Sequence, residues 1–221
     1  FEDSTTLRLL PASRIQLLEK IWNIEPDNQV SLKGKEWNIH NFRWSNDQQG
    51  VGVDGHISSD PLRTLTLQIE DFNLSTLNSI IQRKLSGNVN ANVQVSDVYS
   101  KPSLQNEIDI QGLKVDDFLI GNVTGNNTWD PEEKKFKVEF FVDRIDKRIV
   151  DCTGYYDPYT PANALAITAN LQKANLKVIE PFMKGIFSNI EGTLSGIYTI
   201  TGALARPELK GEGEIDGGKL T

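Results

Sequence analysis

Few side chains in this sequence have the chemistry for catalysis, and their spacing does not assemble it. His40 and His56 are the only histidines, and neither stands at a spacing that pairs it with a second metal ligand or a nucleophile. Ser195 lies in Gly192-Thr193-Leu194-Ser195-Gly196, which misses the Gly-x-Ser-x-Gly elbow by one position and falls in a strand-like stretch. Paired acids at Asp116-Asp117, Glu132-Glu133 and Asp143 to Asp151 are the types that hydrolyse glycosides or hold calcium, but most fall on polar strand positions or in turns. The Gly-rich run from Gly211 to Gly218 carries acidic side chains and no following helix, so it is no phosphate cradle. A single cysteine, Cys152, excludes a disulfide framework and a Cys-based metal site. The expectation is a protein without catalytic residues, metal or cofactor.

The elements that would position any site are strands. Asn88, Asn90, Asn92 and Gln94 alternate with Val89, Ala91, Val93 and Val95, so one face is apolar and the other rich in amides. The same parity runs through Leu65, Leu67 and Ile69, through Phe136, Val138, Phe140 and Val142, and through Leu165, Ile167, Ala169 and Leu171. Turn residues punctuate these runs at Ser58-Ser59-Asp60-Pro61, Gly125-Asn126-Asn127, Asp130-Pro131 and Asp157-Pro158. Helical spacing interrupts them twice, at about 74–85 and 176–190, with Asn73 and Asn175 placed as N-caps. A third short helix is predicted over 13–21.

A pattern recurs about a hundred residues apart. Leu85-Ser86-Gly87 to Val95 followed by Lys101-Pro102-Ser103-Leu104 matches Ile190-Glu191-Gly192 to Ile200 followed by Arg206-Pro207-Glu208-Leu209. Superposition puts Val89 on Leu194, Val93 on Tyr198, Val95 on Ile200, Ile110 on Ile215 and Gly112 on Gly217; upstream, Ile69 falls on Leu171 and Asn73-Leu74 on Asn175-Leu176. The chain divides on this basis into a partial module (1–60), a first β module (61–160) and a second (161–221). It opens without Met and closes within a strand-like pattern, so it reads as a piece of a longer protein.

With 23 basic against 30 acidic residues and a net charge of -7, no basic stripe exists to neutralise a nucleic acid. No apolar run is long enough to span a bilayer as a helix. What remains is the apolar strand face. The expected fold is all-β with two or three short helices: a curved, mostly antiparallel sheet forming a taco-like hydrophobic groove from tandem modules. An apolar surface of that extent marks a binding site, and an acyl chain fits it. The groove lining is expected from Leu65, Leu67, Ile69, Val89, Val93, Val95, Ile108, Ile110 and Phe136, continuing through Val138, Phe140, Leu165, Ile167, Leu194, Tyr198, Ile200, Leu209 and Ile215. Two alternatives stand beside it. One is a closed β-sandwich that binds glycans through Trp22, Trp37, Trp44 and Trp129, whose simplest role is otherwise packing. The other is a chaperone offering an unpaired edge strand at 211–221.

The segment Ala174-Asn175-Leu176-Lys177-Val178-Ile179-Glu180-Pro181-Phe182, with Ser195-Gly196, Thr201-Gly202 and Arg206-Pro207-Glu208-Leu209-Lys210-Gly211, resembles the C-terminal domain of TamB, within the AsmA-like family of bridge proteins. Residues 170–221 carry most of the resemblance, and 65–125 a weaker echo. The resemblance implies a periplasmic location, a tether to the inner membrane through a segment outside this chain, and a groove for phospholipid acyl chains. It also implies an outer-membrane barrel of the Omp85 type as partner and a part in translocation and assembly of outer-membrane proteins.

Overall fold

The computed structural model describes residues 4–17, 20–81, 84–179 and 191–219. Fifteen strands form one sheet. Its first part comprises β1 (Ser4–Leu7), β2 (Arg14–Leu17), β3 (Lys20–Ile24), β4 (Gln29–Lys33), β5 (Glu36–Asn46), β6 (Gln49–Ile57) and β7 (Thr64–Asn73). It continues through β8 (Leu85–Ser96), β9 (Ser103–Val115), β10 (Phe118–Asp130) and β11 (Lys135–Arg144) to β12 (Lys147–Tyr156), β13 (Leu165–Asn175), β14 (Glu191–Ala203) and β15 (Arg206–Lys219). From β5 onward each strand pairs antiparallel with its neighbour in sequence, a meander without crossovers, interrupted by helical segments after β7 and β13. All strands among the described residues belong to this one open, curled sheet, so the all-β, mostly antiparallel fold is as the alternation predicted and a closed sandwich is not formed.

The sheet curls because extra residues are inserted at intervals. Asn41, Asp71, Gly112, Lys173 and Gly217 adopt left-handed backbone with φ between 45° and 64°, one on each of β5, β7, β9, β13 and β15. Each sits where the register shifts, so two residues oppose one and the strand bends with added twist. The backbone N–H that the bulge frees is satisfied by the facing strand. Asn41 donates to Asp54 Oδ2 (2.7 Å), Asp71 to Asn90 Oδ1 (3.0 Å), Gly112 to Asn122 Oδ1 (2.9 Å) and Lys173 to Ser195 Oγ (2.9 Å). Each such hydrogen bond is worth about 1 kcal/mol.

These bulges give the repeat a backbone counterpart. Asp71 and Lys173 share φ near 45–49°, Gly112 and Gly217 share 61–64°, and the equivalent Gly87 and Gly192 share 117–127°. A Cβ on Gly87 would come within 2.9 Å of Gln111 O, and one on Gly192 within 2.8 Å of Asp216 O, because both lie against the bulge of the next strand. That contact and the φ of 117–127° together call for glycine at this position of each copy.

The helices are shorter than the periodicity suggested. A 3₁₀ turn over Leu74–Leu77 leads into α1 (Asn78–Ile81), and Leu85 already begins β8. The second helix is described as α2 (Leu176–Ile179), and the rest of the predicted span, 180–190, lies outside the described residues. Both N-caps form: Asn73 Oδ1 accepts from the N–H of Ser75 and Asn175 Oδ1 from that of Lys177, each at 2.9 Å. The helix predicted over 13–21 is instead the β2–β3 hairpin, with Ile15 opposite Trp22 and Leu17 opposite Lys20. A stretch this short gains little as an isolated helix, whereas pairing buries Trp22 to 1% exposure and stacks it on Phe72 at 6.2 Å.

β5 is long enough to carry two partners on one edge: β4 along Glu36–His40 and β3 at Trp44 and Ser45. Asn28, 1% exposed, joins the two attachments, exchanging hydrogen bonds with the N–H and C=O of Leu9 and donating to Glu25 O.

Candidate functional site

Residues opposite one another in an antiparallel pair share a face, so the registers trace rows across the sheet. Nearest the turns that link β8 to β9 and β10 to β11, Leu65 faces Val95 and Val95 faces Leu104; further along the sheet Trp129, Phe136, Tyr156 and Leu165 stand side by side. The next row runs Leu67, Val93, Asn106, Asn127, Val138, Gly154, Ile167, Ile200 and Leu209. A third runs Ile69, Ala91, Ile108, Gly125, Phe140, Cys152, Ala169 and Tyr198. The fourth runs Val89, Ile110, Val123, Val142, Val150 and Leu171, and one step beyond it Ala174, Leu194 and Ile215 are aligned. All eighteen side chains expected to line a groove therefore stand on one face of one sheet.

That face is not uniform along the strands. At the bulged rim, Val142, Val150, Cys152, Ala169, Leu171, Ala174 and Leu194 are buried together with Ile120, Ile149 and Leu176, with no second sheet among the described residues. Leu176 brings α2, at the end of β13, into this cluster. Burial pushes the Cys152 thiol up to about 12, with the nearby Asp151 carboxylate adding to the effect. At the edge strand the side chains have a neighbour on one side only, so Leu209 is 47% and Ile215 61% exposed. The Gly211–Gly213 stretch leaves room for the Tyr198 ring, which a Cβ on either glycine would strike.

At the opposite rim the face opens into a cleft of about 940 Å³. Val95, Leu104, Trp129, Phe136 and Tyr159 form its apolar wall, while Lys101, Glu132, Glu133, Lys134 and Asp157 stand around it. Trp129 packs on Phe136 at 4.8 Å and meets Tyr159 edge-on at 6.2 Å. Aspartate side chains hold the surrounding loops: Asp97 accepts from the N–H of Lys101, and in Asx turns Asp130 accepts from Glu132, and also from Glu133, and Asp157 from Tyr159. The Tyr159 N–H holds the Asp157 carboxyl below the usual carboxylate range.

The opposite face is polar. A shallower hollow of about 530 Å³ on it is bordered by Gln68, Glu70, Asn90, Asn92, Glu107 and Asp109. Arg43 crosses over Gly50 and Gly52 of β6 to Glu70 on β7, and Arg148 lies 4.0 Å from the Phe141 ring while pairing with Asp143. None of the residues considered for catalysis assembles with another into a reactive group. His40 is solvent-exposed beside Asp54, Ser195 Oγ caps the Lys173 bulge, and no group of three His, Cys, Asp or Glu is placed to hold a metal among the described residues. The tryptophans do not share a platform, since Trp22 is buried, Trp44 meets Phe42 and Trp129 belongs to the cleft.

Two residues on the apolar face were missed from sequence. Asn106 and Asn127 stand in the second row between Val93 and Val138, and the Asn127 Nδ2 donates to Asn106 Oδ1 at 2.7 Å. The parity of Leu104, Ile108 and Ile110 does point Asn106 inward, whereas Asn127 belongs to Gly125-Asn126-Asn127, which has the composition of a turn but lies inside β10, paired on both sides.

No curated protein and no solved structure matches this chain. A family model, described as "TamB, N-terminal domain", matches residues 22–215. The match extends over β3 to β15, far beyond the C-terminal segment that carried the sequence resemblance, and it is to the N-terminal rather than the C-terminal domain. On a match covering nearly its whole length, the chain belongs to the TamB family.

Proposed function

We propose that this protein is a non-catalytic section of a cell-envelope bridge whose apolar sheet face takes up phospholipid acyl chains. The carrying observation is the alignment of the eighteen apolar side chains in rows on one curled face, with no second sheet among the described residues. A conduit needs a continuous lining more than a closed pocket, and tandem modules at 61–160 and 161–221 would extend that lining with each repeat. Family membership supports the wider setting: a periplasmic location, a tether to the inner membrane outside this chain, and cooperation with an Omp85-type barrel in outer-membrane protein assembly. No described helix is long and apolar enough to cross a membrane.

Site-specific photo-crosslinkers test this reading in the intact cell-envelope protein. At Val93 and Ile200, on the apolar face, they should capture phospholipid; at Asn92 and Thr199, on the polar face, they should not. Equal capture from both faces would overturn it.

A further inference from the structure

The open cleft and the amide pair beside it have a chemistry that an acyl chain alone does not require. Asn is poorly suited to a strand interior, and two of them on an apolar face give up both β-propensity and packing. Their mutual hydrogen bond of 2.7 Å uses one donor and one acceptor. The Asn106 Nδ2 and the Asn127 Oδ1 have no partner within the protein among the described residues, and both side chains are only half-buried. Toward the cleft, the strands carry Leu104 and Trp129, and beyond these stand Lys101 and Lys134. Neither lysine ammonium has an ion-pair partner among the described residues, while Glu133 at the same rim is held 4.0 Å from Lys135. Away from the cleft, the next rows carry Ile108, Phe140, Ile110 and Val123, all apolar.

From the open rim inward the order is therefore a charged rim, in which Lys101 and Lys134 stand among Glu132, Glu133 and Asp157, then an aromatic collar, the amide pair and hydrocarbon. Lys101 is five residues from Asn106, and Lys134 is four from Val138, the partner of Asn127, roughly 13–17 Å along the strands. A lysine side chain and a glycerophosphate together fill such a span. We propose that Asn106 and Asn127 form a station for the ester linkage of a diacyl glycerophospholipid, donating to an acyl ester carbonyl while the phosphate lies at Lys101 and Lys134. The acyl chains continue over Ile108, Phe140 and Val123 toward the bulged rim. This rests on the acyl-groove reading and adds to it an orientation, head at the cleft and tails toward the buried cluster.

The test uses the purified protein loaded with an apolar fluorescent dye, displaced by dioleoyl phosphatidylethanolamine or by its diether counterpart, which lacks the ester carbonyls. The wild type should release dye to the ester lipid at about tenfold lower concentration than to the ether lipid, the effect of about two hydrogen bonds. In Asn106→Val/Asn127→Val that preference should vanish, while both lipids still displace the dye. Asn127→Thr, which keeps a hydroxyl and suits a strand, should retain part of it. Equal displacement by ester and ether lipid in the wild type would overturn the ester station and leave the groove standing, as would a preference that survives the double variant. Failure to bind the dye at all would overturn the groove and the station together.

Discussion

The guanidinium of Arg43 reaches over β6 to grip the carboxylate of Glu70 with hydrogen bonds of 2.8 and 2.5 Å. Glycines at 50 and 52 make the crossing possible, since a Cβ at either would press on the Arg43 side chain. The pair ties β5 to β7 on the face opposite the proposed groove. Hydrogen bonding to Arg43 lowers the Glu70 carboxyl below its ordinary value of 4.5. The contribution is then full above that value and is lost as pH falls through the lower value of the folded protein. Glu70→Gln should remove about 0.5–1 kcal/mol from urea stability at pH 7, as befits a half-exposed pair, and the difference from wild type should disappear at low pH.

Cys152 should behave as an inert core residue. It is 2% exposed between Phe140 and Ala169, and with a thiol pushed up to about 12 it holds almost no thiolate at neutral pH. A thiol reagent at pH 8 should label the native protein negligibly and the urea-unfolded protein fully. Rapid native labelling would show that the bulged rim opens.

The four bulge caps should be worth similar amounts. Asp54→Ala, Asn90→Ala, Asn122→Ala and Ser195→Ala each leave one backbone N–H of a left-handed residue without its side-chain acceptor. Each should lose about 1 kcal/mol in chemical denaturation, with no change in dye binding because the caps stand on the polar face.

Glycine substitutions should differ in cost with the demands of their positions. At Gly112 a Cβ meets nothing within 4 Å, so Gly112→Ala should cost about 1 kcal/mol through its φ of 61° alone. At Gly87 a Cβ meets both a φ of 127° and the Gln111 carbonyl, so Gly87→Ala should cost more; equal losses at the two sites would remove both arguments.

Truncation within the buried cluster should be the most costly change. Leu171, 6% exposed, packs between Val150 and the β14 backbone at Gly196, and Leu171→Ala should lose about 2–4 kcal/mol. A much smaller loss would mean that this rim is not a packed core.

What the sequence determined by itself was local. Alternation in Val89 to Val95 and Phe136 to Val142 dictates which side chains share a face, because successive Cβ atoms in a strand point oppositely whatever surrounds them. The N-caps at Asn73 and Asn175 and the Asp-Pro turns were equally legible, since each completes its own hydrogen bonds within a few residues. The matched glycines of the repeat were visible as letters, though their cause, the bulge on the adjoining strand, was not. Tertiary structure decided the rest. Whether Arg14–Leu17 becomes helix or strand depended on the pairing that buries Trp22, a partner outside the segment's own periodicity. The bulges at Asp71 and Lys173 displace the inward parity by one residue, bringing Phe72 and Ala174 onto the apolar face where strict alternation would turn them out. The facing of Asn106 and Asn127 required the β9–β10 register. The difference between a sealed rim and an open cleft required the curl, which no single strand contains because it accumulates from bulges and twist across the whole sheet.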